Sequence, residues 1–231
     1  MKYRLKFKKE DEIKFIGHLD LMRVFQKAIR RAQIPIAYSE GFNPHQLVTF
    51  PLPLTLGATS EGEYMELQLT KEMNIEILCE QLNQQLPLGL IILDGLPLLD
   101  TSTKGMTIVQ GAQYELRYPI LLAQSLNWQS KIHEFLNQTQ IMIKKQTKTK
   151  TQMVNIREGI YCMDGWNAGQ RLVLDLFLAA GSRQNIRPEW VMESFLQFCG
   201  LPFSASQLQI HRKDLFALKN KEWVSLQHFI D

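Results

Sequence analysis

The sequence of 231 residues has only three cysteines and no long hydrophobic run. Cys79, Cys162 and Cys199 stand far apart, which excludes a paired disulfide framework and the closely spaced thiolates of a zinc or iron–sulfur site. A transmembrane helix is excluded because no stretch of about 18 apolar residues is present; the most apolar region, residues 86–99, is interrupted by proline, glycine and aspartate. Residues 1–15 contain no signal-peptide core. We therefore predict a cytoplasmic protein without a membrane contact, a metal or a cofactor.

The composition is that of an ordinary globular chain, with 45% hydrophobic, 21% charged and 10% aromatic residues. Its net charge of +3 is unevenly distributed along the chain. Residues 1–50 carry ten Lys and Arg against five Asp and Glu, whereas residues 56–100 carry one lysine against eight acids. Such an asymmetry fits a face that binds a polyanion, and it equally fits stretches that neutralise one another in the fold.

Residues 2–8 alternate between charged and apolar side chains, which predicts a strand with one buried face and one cationic face. A helix with an apolar side and a basic side follows and ends before Pro35. The first half of the chain predicts the order β-α-β-β-α-β, and the second half repeats that order. We therefore predict an α+β protein of two tandem ferredoxin-like (βαββαβ) units, residues 1–97 and 112–231, joined by a linker at residues 98–111.

Three segments in the first third of the chain form an unusual series: residues 18–23 (HLDLMR), 38–45 (YSEGFNPH) and 60–64 (SEGEY). They resemble the motifs of the radical-SAM-associated protein family, a domain of unknown function encoded beside, or fused to, cobalamin-binding radical SAM proteins. Two positions depart from that pattern, since Gly17 stands where the family has serine and Gln46 stands where it has proline. The resemblance implies a radical SAM protein as partner. Because the chain lacks the CxxxCxxC run that holds the cluster of such an enzyme, it implies an accessory subunit.

Basic side chains recur on the first strand, on the helix that follows and in a run of the second half. On an open sheet face and on the solvent side of a helix, such side chains contact RNA phosphates. The aromatic residues of the first strand lie on its other face, so we expect backbone contacts without base readout and no DNA specificity. A solvated surface is the alternative for each group. The predicted nucleic-acid-binding residues are Lys2, Arg4, Lys6, Lys8, Arg23, Lys27, Arg30, Arg31, Lys144, Lys145, Lys148 and Lys150.

A rigid loop is predicted after the first helix, because its glycine permits a positive φ and its Asn-Pro pair sets a turn. The loop residues are Ser39, Glu40, Gly41, Asn43, Pro44 and His45. Glu40 and His45, if held close together, bind a small ligand or act as acid and base. The alternative is a structural role, with Glu40 paired to Arg23. Residues 60–62 are predicted to form a turn.

The leading functional hypothesis is a non-catalytic RNA-binding accessory protein that positions a structured RNA for a partner radical SAM enzyme. One alternative is a metal-independent endoribonuclease that resembles the enzymes processing CRISPR RNA, with His18, Tyr38 and His45 as acid–base residues. It depends on an analogy of architecture alone. The other alternative is a protein-only scaffold for the radical SAM partner.

Overall fold

Tyr3, Leu5 and Phe7 of the first strand lie in a hydrophobic core, as their alternation with charged residues predicts. The computed structural model describes residues 1–120, 126–146 and 151–230 of the chain. Helices and strands are mixed along these residues, which confirms the α+β class.

The strands are β1 (Lys2–Lys9), β2 (Val48–Thr49), β3 (Thr59–Gln68), β4 (Leu90–Leu98), β5 (Val109–Pro119), β6 (Met142–Gln146), β7 (Thr151–Asn155), β8 (Ile160–Ala168), β9 (Arg171–Ala179), β10 (Gln209–Lys219) and β11 (Glu222–Ser225). The helices are α1 (His18–Arg31), α2 (Ile75–Asn83), α3 (Gly105–Ile108), α4 (Trp128–Leu136) and α5 (Pro188–Phe198). Short 3-10 helices span Asp11–Ile13, Arg157–Gly159 and Ala205–Gln207.

The chain divides into two compact units. The first unit comprises residues 1–110 together with 212–231, and the second comprises residues 111–211. Residues 212–231 thus pack with the first unit, whereas the sequence places them in the second. The predicted linker, residues 98–111, is not an extended tether, because it contains α3 and the first residues of β5.

The sheet of the first unit is built around β1, which pairs antiparallel with β3 on one side and with β4 on the other. β2 pairs antiparallel with β3, where Val48 lies opposite Leu67. β10 lies beside β3 and pairs with β11. One face of this sheet packs on α1 and α2 through the hydrophobic core, and the other face carries the charged residues of β1.

Helix α1 begins at His18 and ends at Arg31, within the span that the sequence predicts. Its first turn holds Asp20, whose charge is favourable at a helix N-terminus. Leu21, Phe25, Ala28 and Ile29 form its buried stripe, and the Phe25 ring lies 4.9 Å from that of Phe7 on β1. The basic residues of α1 therefore face away from the sheet.

In the second unit, β9 lies between β5 and β8, and both pairings are antiparallel. Trp128, Ile132 and Phe135 of α4 are buried, and the Phe135 ring lies 5.3 Å from that of Phe195 on α5. β6 and β7 form a separate two-stranded hairpin. Its strands flank the basic run that the sequence identifies as hairpin-like.

Candidate nucleic-acid interface

Arg4 on β1 is 1% exposed, so the expectation that the charged side chains of β1 form one exposed surface is wrong at this residue. Its guanidinium contacts Glu66 on β3, with an Nη2–Oε1 distance of 2.9 Å. Its Nη1 donates to the backbone carbonyls of Leu226 (3.0 Å) and Phe229 (2.8 Å). Arg4 therefore holds the C-terminal residues on the face that the sequence predicts to be open.

Lys6 on β1 is also engaged in contacts within the first unit. Its Nζ lies 3.3 Å from Asp214 Oδ2 and 3.1 Å from Gln227 Oε1. Asp214 in turn accepts hydrogen bonds from the hydroxyls of Tyr64 (2.5 Å) and Ser225 (2.7 Å). Burial, reinforced by the charge of Asp214, holds the pKa of the Tyr64 hydroxyl far above its usual value, so this group stays a neutral donor.

Lys2 and Lys8, near the two ends of β1, are less buried than Arg4, and each also has a partner within the chain. Lys2 donates to the backbone carbonyl of Asp100, and Lys8 pairs with Glu10 at 2.7 Å. The four β1 cations predicted to bind RNA therefore all bind acceptors of the chain itself.

Residues 60–62, predicted as a turn, belong to β3 instead. Side chains on both faces of β3 contact β10. Successive residues of a strand point to opposite faces. On one face Glu63 forms a two-pronged ion pair with Arg212 (2.7 and 2.5 Å), and on the other Tyr64 binds Asp214. Both members of the Glu63–Arg212 pair are buried. The Arg212 guanidinium also donates to the Leu52 carbonyl at 3.0 Å.

Lys9 is a buried cation at the edge of this network. Its Nζ donates to the carbonyls of Lys14 (3.0 Å) and Ile16 (2.9 Å). Burial lowers the pKa of the Lys9 ammonium, and the neighbouring Glu63 carboxylate opposes that effect. The sequence analysis did not predict the buried charged cluster of Lys9, Glu63 and Arg212. An alternating pattern of charged and apolar residues does not show which charged side chains are buried.

The basic residues of α1 are exposed, as predicted; they are Arg23, Lys27, Arg30 and Arg31, and we call them the α1 cationic face. At about 100° of rotation per helical residue, they occupy an arc of about 100°. Arg23 pairs with Asp20 at 2.9 Å. Arg31 donates to the Gln85 side chain at 3.3 Å. No carboxylate lies within ion-pair distance of Lys27 or Arg30 among the residues that the structure describes.

The α1 cationic face and the β1 cations do not share a surface. The Phe7–Phe25 contact places α1 on the core side of the sheet, whereas Arg4 and Lys6 point to the other side. A shallow groove of about 280 Å³ borders the α1 cationic face. It is lined by Val24, Lys27, Arg31, Gln85, Leu86 and Pro87.

The segment from residue 38 to residue 46, the 38–46 loop, is held closed by contacts between Ser39 and His45. The Ser39 hydroxyl lies 2.8 Å from His45 Nδ1 and accepts from the His45 backbone N–H at 3.1 Å. Between them, Gly41 has a φ of 110°, the left-handed conformation for which glycine is suited. Glu40 is exposed, and Arg23, its predicted partner, pairs with Asp20 instead. Asn43 and Pro44 are exposed as well.

The three candidate acid–base residues each contact other parts of the chain. His18 packs edge-on against Phe50, with ring centroids 5.5 Å apart. His45 binds Ser39, and Tyr38 lies opposite Gln46 in an isolated bridge. In the described parts of the chain, no hydrogen bond joins His18, Tyr38 and His45 to one another.

Lys144 and Lys145 of the predicted basic run lie on β6. Lys144 is exposed, and Lys145 lies 5.9 Å from the centroid of the Trp190 ring. Lys148 and Lys150 fall outside the described residues.

Over residues 1–120, 126–146 and 151–230, no group of three or more His, Cys, Asp or Glu side chains is placed to hold a metal ion. Of the helices in those ranges, none has the length and apolar character needed to cross a membrane.

Residues 2–188 match a protein family described as an uncharacterized protein conserved in bacteria (DUF2344). No curated protein matches the sequence.

Proposed function

Because this chain belongs to the DUF2344 family, we propose its function from the geometry of its own surfaces: it is a non-catalytic RNA-binding accessory protein that contacts RNA phosphates through the α1 cationic face. The observation that carries this proposal is the presence of Lys27 and Arg30 on one exposed helix face without a carboxylate partner among the described residues. The sheet face is not part of the proposed site.

Electrostatics favours an anionic partner for this helix face. Arg23, Lys27 and Arg30 follow one another at helical spacings of three and four residues, at which like charges repel. A bound polyanion removes that repulsion and releases its own condensed counterions, which is the main source of affinity between cationic proteins and nucleic acids.

We also propose that each unit is a variant of the ferredoxin-like unit. In the first unit, the strand order β4-β1-β3 with β2 on β3, all antiparallel, supports this assignment. In the second unit the support is the antiparallel order β5-β9-β8, with the β6–β7 hairpin as an insertion.

The proposed partner is a radical SAM enzyme, to which this protein presents a structured RNA. The proposal of this partner is supported by the resemblance of segments 18–23, 38–45 and 60–64 to the motifs of the radical-SAM-associated family. It is compatible with RNA contact by α1, because the exposed His18–Arg31 helix contains the first of those segments.

Fluorescence anisotropy with labelled transfer and ribosomal RNA fragments, at salt concentrations from about 50 to 200 mM, tests RNA binding. With about three phosphate contacts the affinity is expected to fall about 20-fold over that range. The double variant Lys27→Glu/Arg30→Glu is expected to bind at least tenfold more weakly and with a shallower salt dependence.

The matched control is Lys71→Glu/Arg183→Glu, which makes the same change in net charge at two exposed cations outside the site. If both double variants lose affinity equally, binding is a net-charge effect and the α1 site is refuted. An affinity that ignores salt refutes the proposal as a whole. A stable complex with the radical SAM enzyme and no RNA affinity favours the protein-only scaffold.

A further inference from the structure

We infer that the α1 cationic face binds a single-stranded segment of the structured RNA, and that Phe42 and Tyr38 of the 38–46 loop stack on the bases of that segment. This inference rests on the proposed function and adds to it the class of substrate. The observation behind it is the exposure of Phe42, which is 105% of the reference value, so the ring packs on no residue in the described part of the chain. A phenylalanine in this state offers both faces of its ring for stacking.

The 38–46 loop presents this ring in a defined position. The Ser39–His45 contacts close the loop, and the backbone N–H of Ser39 donates to the His45 carbonyl at 2.8 Å. Phe42 lies at the tip between these two residues. Hydrogen bonds between Ser39 and His45 therefore hold the two ends of the loop together.

A second contact attaches the loop to the cationic helix. Gln46, which is 5% exposed, donates from Nε2 to the Gln26 carbonyl at 3.3 Å. Arg23 and Arg30 lie about one turn before and after Gln26 and therefore flank the attachment point. The 38–46 loop is thus attached to the helix that carries the α1 cationic face.

Tyr38 lies on the same side of the loop. It forms an antiparallel bridge with Gln46, and directly opposed residues of such a pair project to the same face. Because Gln46 points toward α1, Tyr38 does as well, and its side chain is 49% exposed. The 38–46 loop, which is attached to α1, thus carries two accessible aromatic rings, Phe42 and Tyr38.

This combination suits single strands. Proteins that bind single-stranded nucleic acid combine a cationic track for the backbone with aromatic rings on which the bases stack. In a duplex the bases are stacked on one another, so Phe42 has no base face to contact and only the phosphate contacts remain. The loop therefore discriminates against duplex RNA.

The test compares a 12-nucleotide unstructured RNA with a hairpin of similar duplex length, by anisotropy with the full chain at constant salt. Wild type is expected to bind the single strand about tenfold more tightly. Phe42→Ala is expected to lose about tenfold in single-strand affinity with duplex affinity unchanged, whereas Phe42→Trp retains single-strand affinity. Phe15→Ala is the matched control, because Phe15 is 73% exposed and lies outside the 38–46 loop.

The outcomes separate this inference from the proposed function. If Phe42→Ala binds both RNAs like wild type while Lys27→Glu/Arg30→Glu is impaired, stacking is refuted and the RNA-binding proposal stands. If wild type binds neither RNA, both are refuted. If Phe42→Ala leaves RNA binding intact but abolishes binding to the radical SAM protein, the loop is a protein contact and the inference is overturned.

Discussion

Arg4 and Glu66 lie directly opposite each other on β1 and β3, and their side chains meet at 2.9 Å with Arg4 almost wholly buried. The same guanidinium also binds two carbonyls of the C-terminal residues, so every one of its contacts joins distant parts of the first unit. Because removing one member of a buried ion pair leaves an uncompensated charge, Arg4→Met is expected to lower the free energy of unfolding by about 3–5 kcal/mol.

Urea denaturation measures this effect. Lys8→Met is the control, because the Lys8–Glu10 pair is partly exposed and its loss costs about 1 kcal/mol or less. Equal losses for the two variants contradict the role assigned to Arg4.

The backbone of β10 closely approaches β3 at Gly62. A Cβ atom at residue 62 would lie 2.2 Å from the carbonyl oxygen of Lys213 and 2.4 Å from the Asp214 Cα, both of them backbone atoms. Gly62→Ala is therefore expected to destabilise the chain by about 2–3 kcal/mol through overpacking. The comparison variant is Gly17→Ser, which meets nothing within 4 Å and improves the cap of α1 by a few tenths of a kcal/mol. A thermal midpoint for Gly62→Ala equal to that of wild type would falsify the close approach.

The local structure of the first unit was predictable because its causes are local. Alternation over residues 2–8 identified the buried face of β1, and helical periodicity with Pro35 identified α1. The Ser39–His45 contact also joins residues close in sequence, so a rigid loop was foreseeable. The burial of Arg4 was not, because its acceptors are Glu66, Leu226 and Phe229, and a strand pattern carries no information on what later covers its polar face.

Two of the three cysteines are expected to react slowly with alkylating reagents. Burial raises the pKa of Cys79 from 9.0 to about 11, with a further contribution from Asp94. Burial likewise raises the pKa of Cys199 to about 11. Because only the thiolate reacts, these groups hold about a hundredfold less reactive form at pH 8 than thiols of unshifted pKa. Iodoacetamide labelling followed by mass spectrometry should modify the exposed Cys162 first.

The pH dependence of the labelling rate tests whether the pKa values of Cys79 and Cys199 are raised. A raised pKa keeps the thiol protonated to higher pH, so the labelling rates of Cys79 and Cys199 should continue to increase up to about pH 11. In the urea-unfolded chain both should level off near their ordinary value. Plateaus near pH 9 in the folded chain would contradict the burial effect.

Removal of residues 226–231 tests whether the covered sheet face is a second RNA site. Leu226 is fully buried and Phe229 is 8% exposed, so a chain ending at Ser225 is expected to be less stable by several kcal/mol, at about 1.5–3 kcal/mol for each buried apolar side chain. Its RNA affinity should be unchanged, because Arg4 remains paired with Glu66 and α1 lies on the other side of the sheet. A chain ending at Phe229 is the control. A severalfold gain in affinity on removing residues 226–231 would instead identify the β1 cations as an RNA surface that the C-terminal residues cover.

Incubation of RNA with the protein in chelator tests the endoribonuclease alternative directly. His45 is exposed and its Nδ1 is bound to Ser39, and no hydrogen bond in the described parts of the chain joins it to His18 or Tyr38. General acid–base cleavage requires two proton-transfer groups within hydrogen-bond reach of the same phosphodiester. Wild type and His45→Ala are therefore both expected to leave the RNA intact, as judged on denaturing gels, while binding it equally. Cleavage by wild type that is lost in His45→Ala, while His45→Ala still binds RNA with wild-type affinity, would establish His45 as a catalytic residue and replace the accessory role with an enzymatic one.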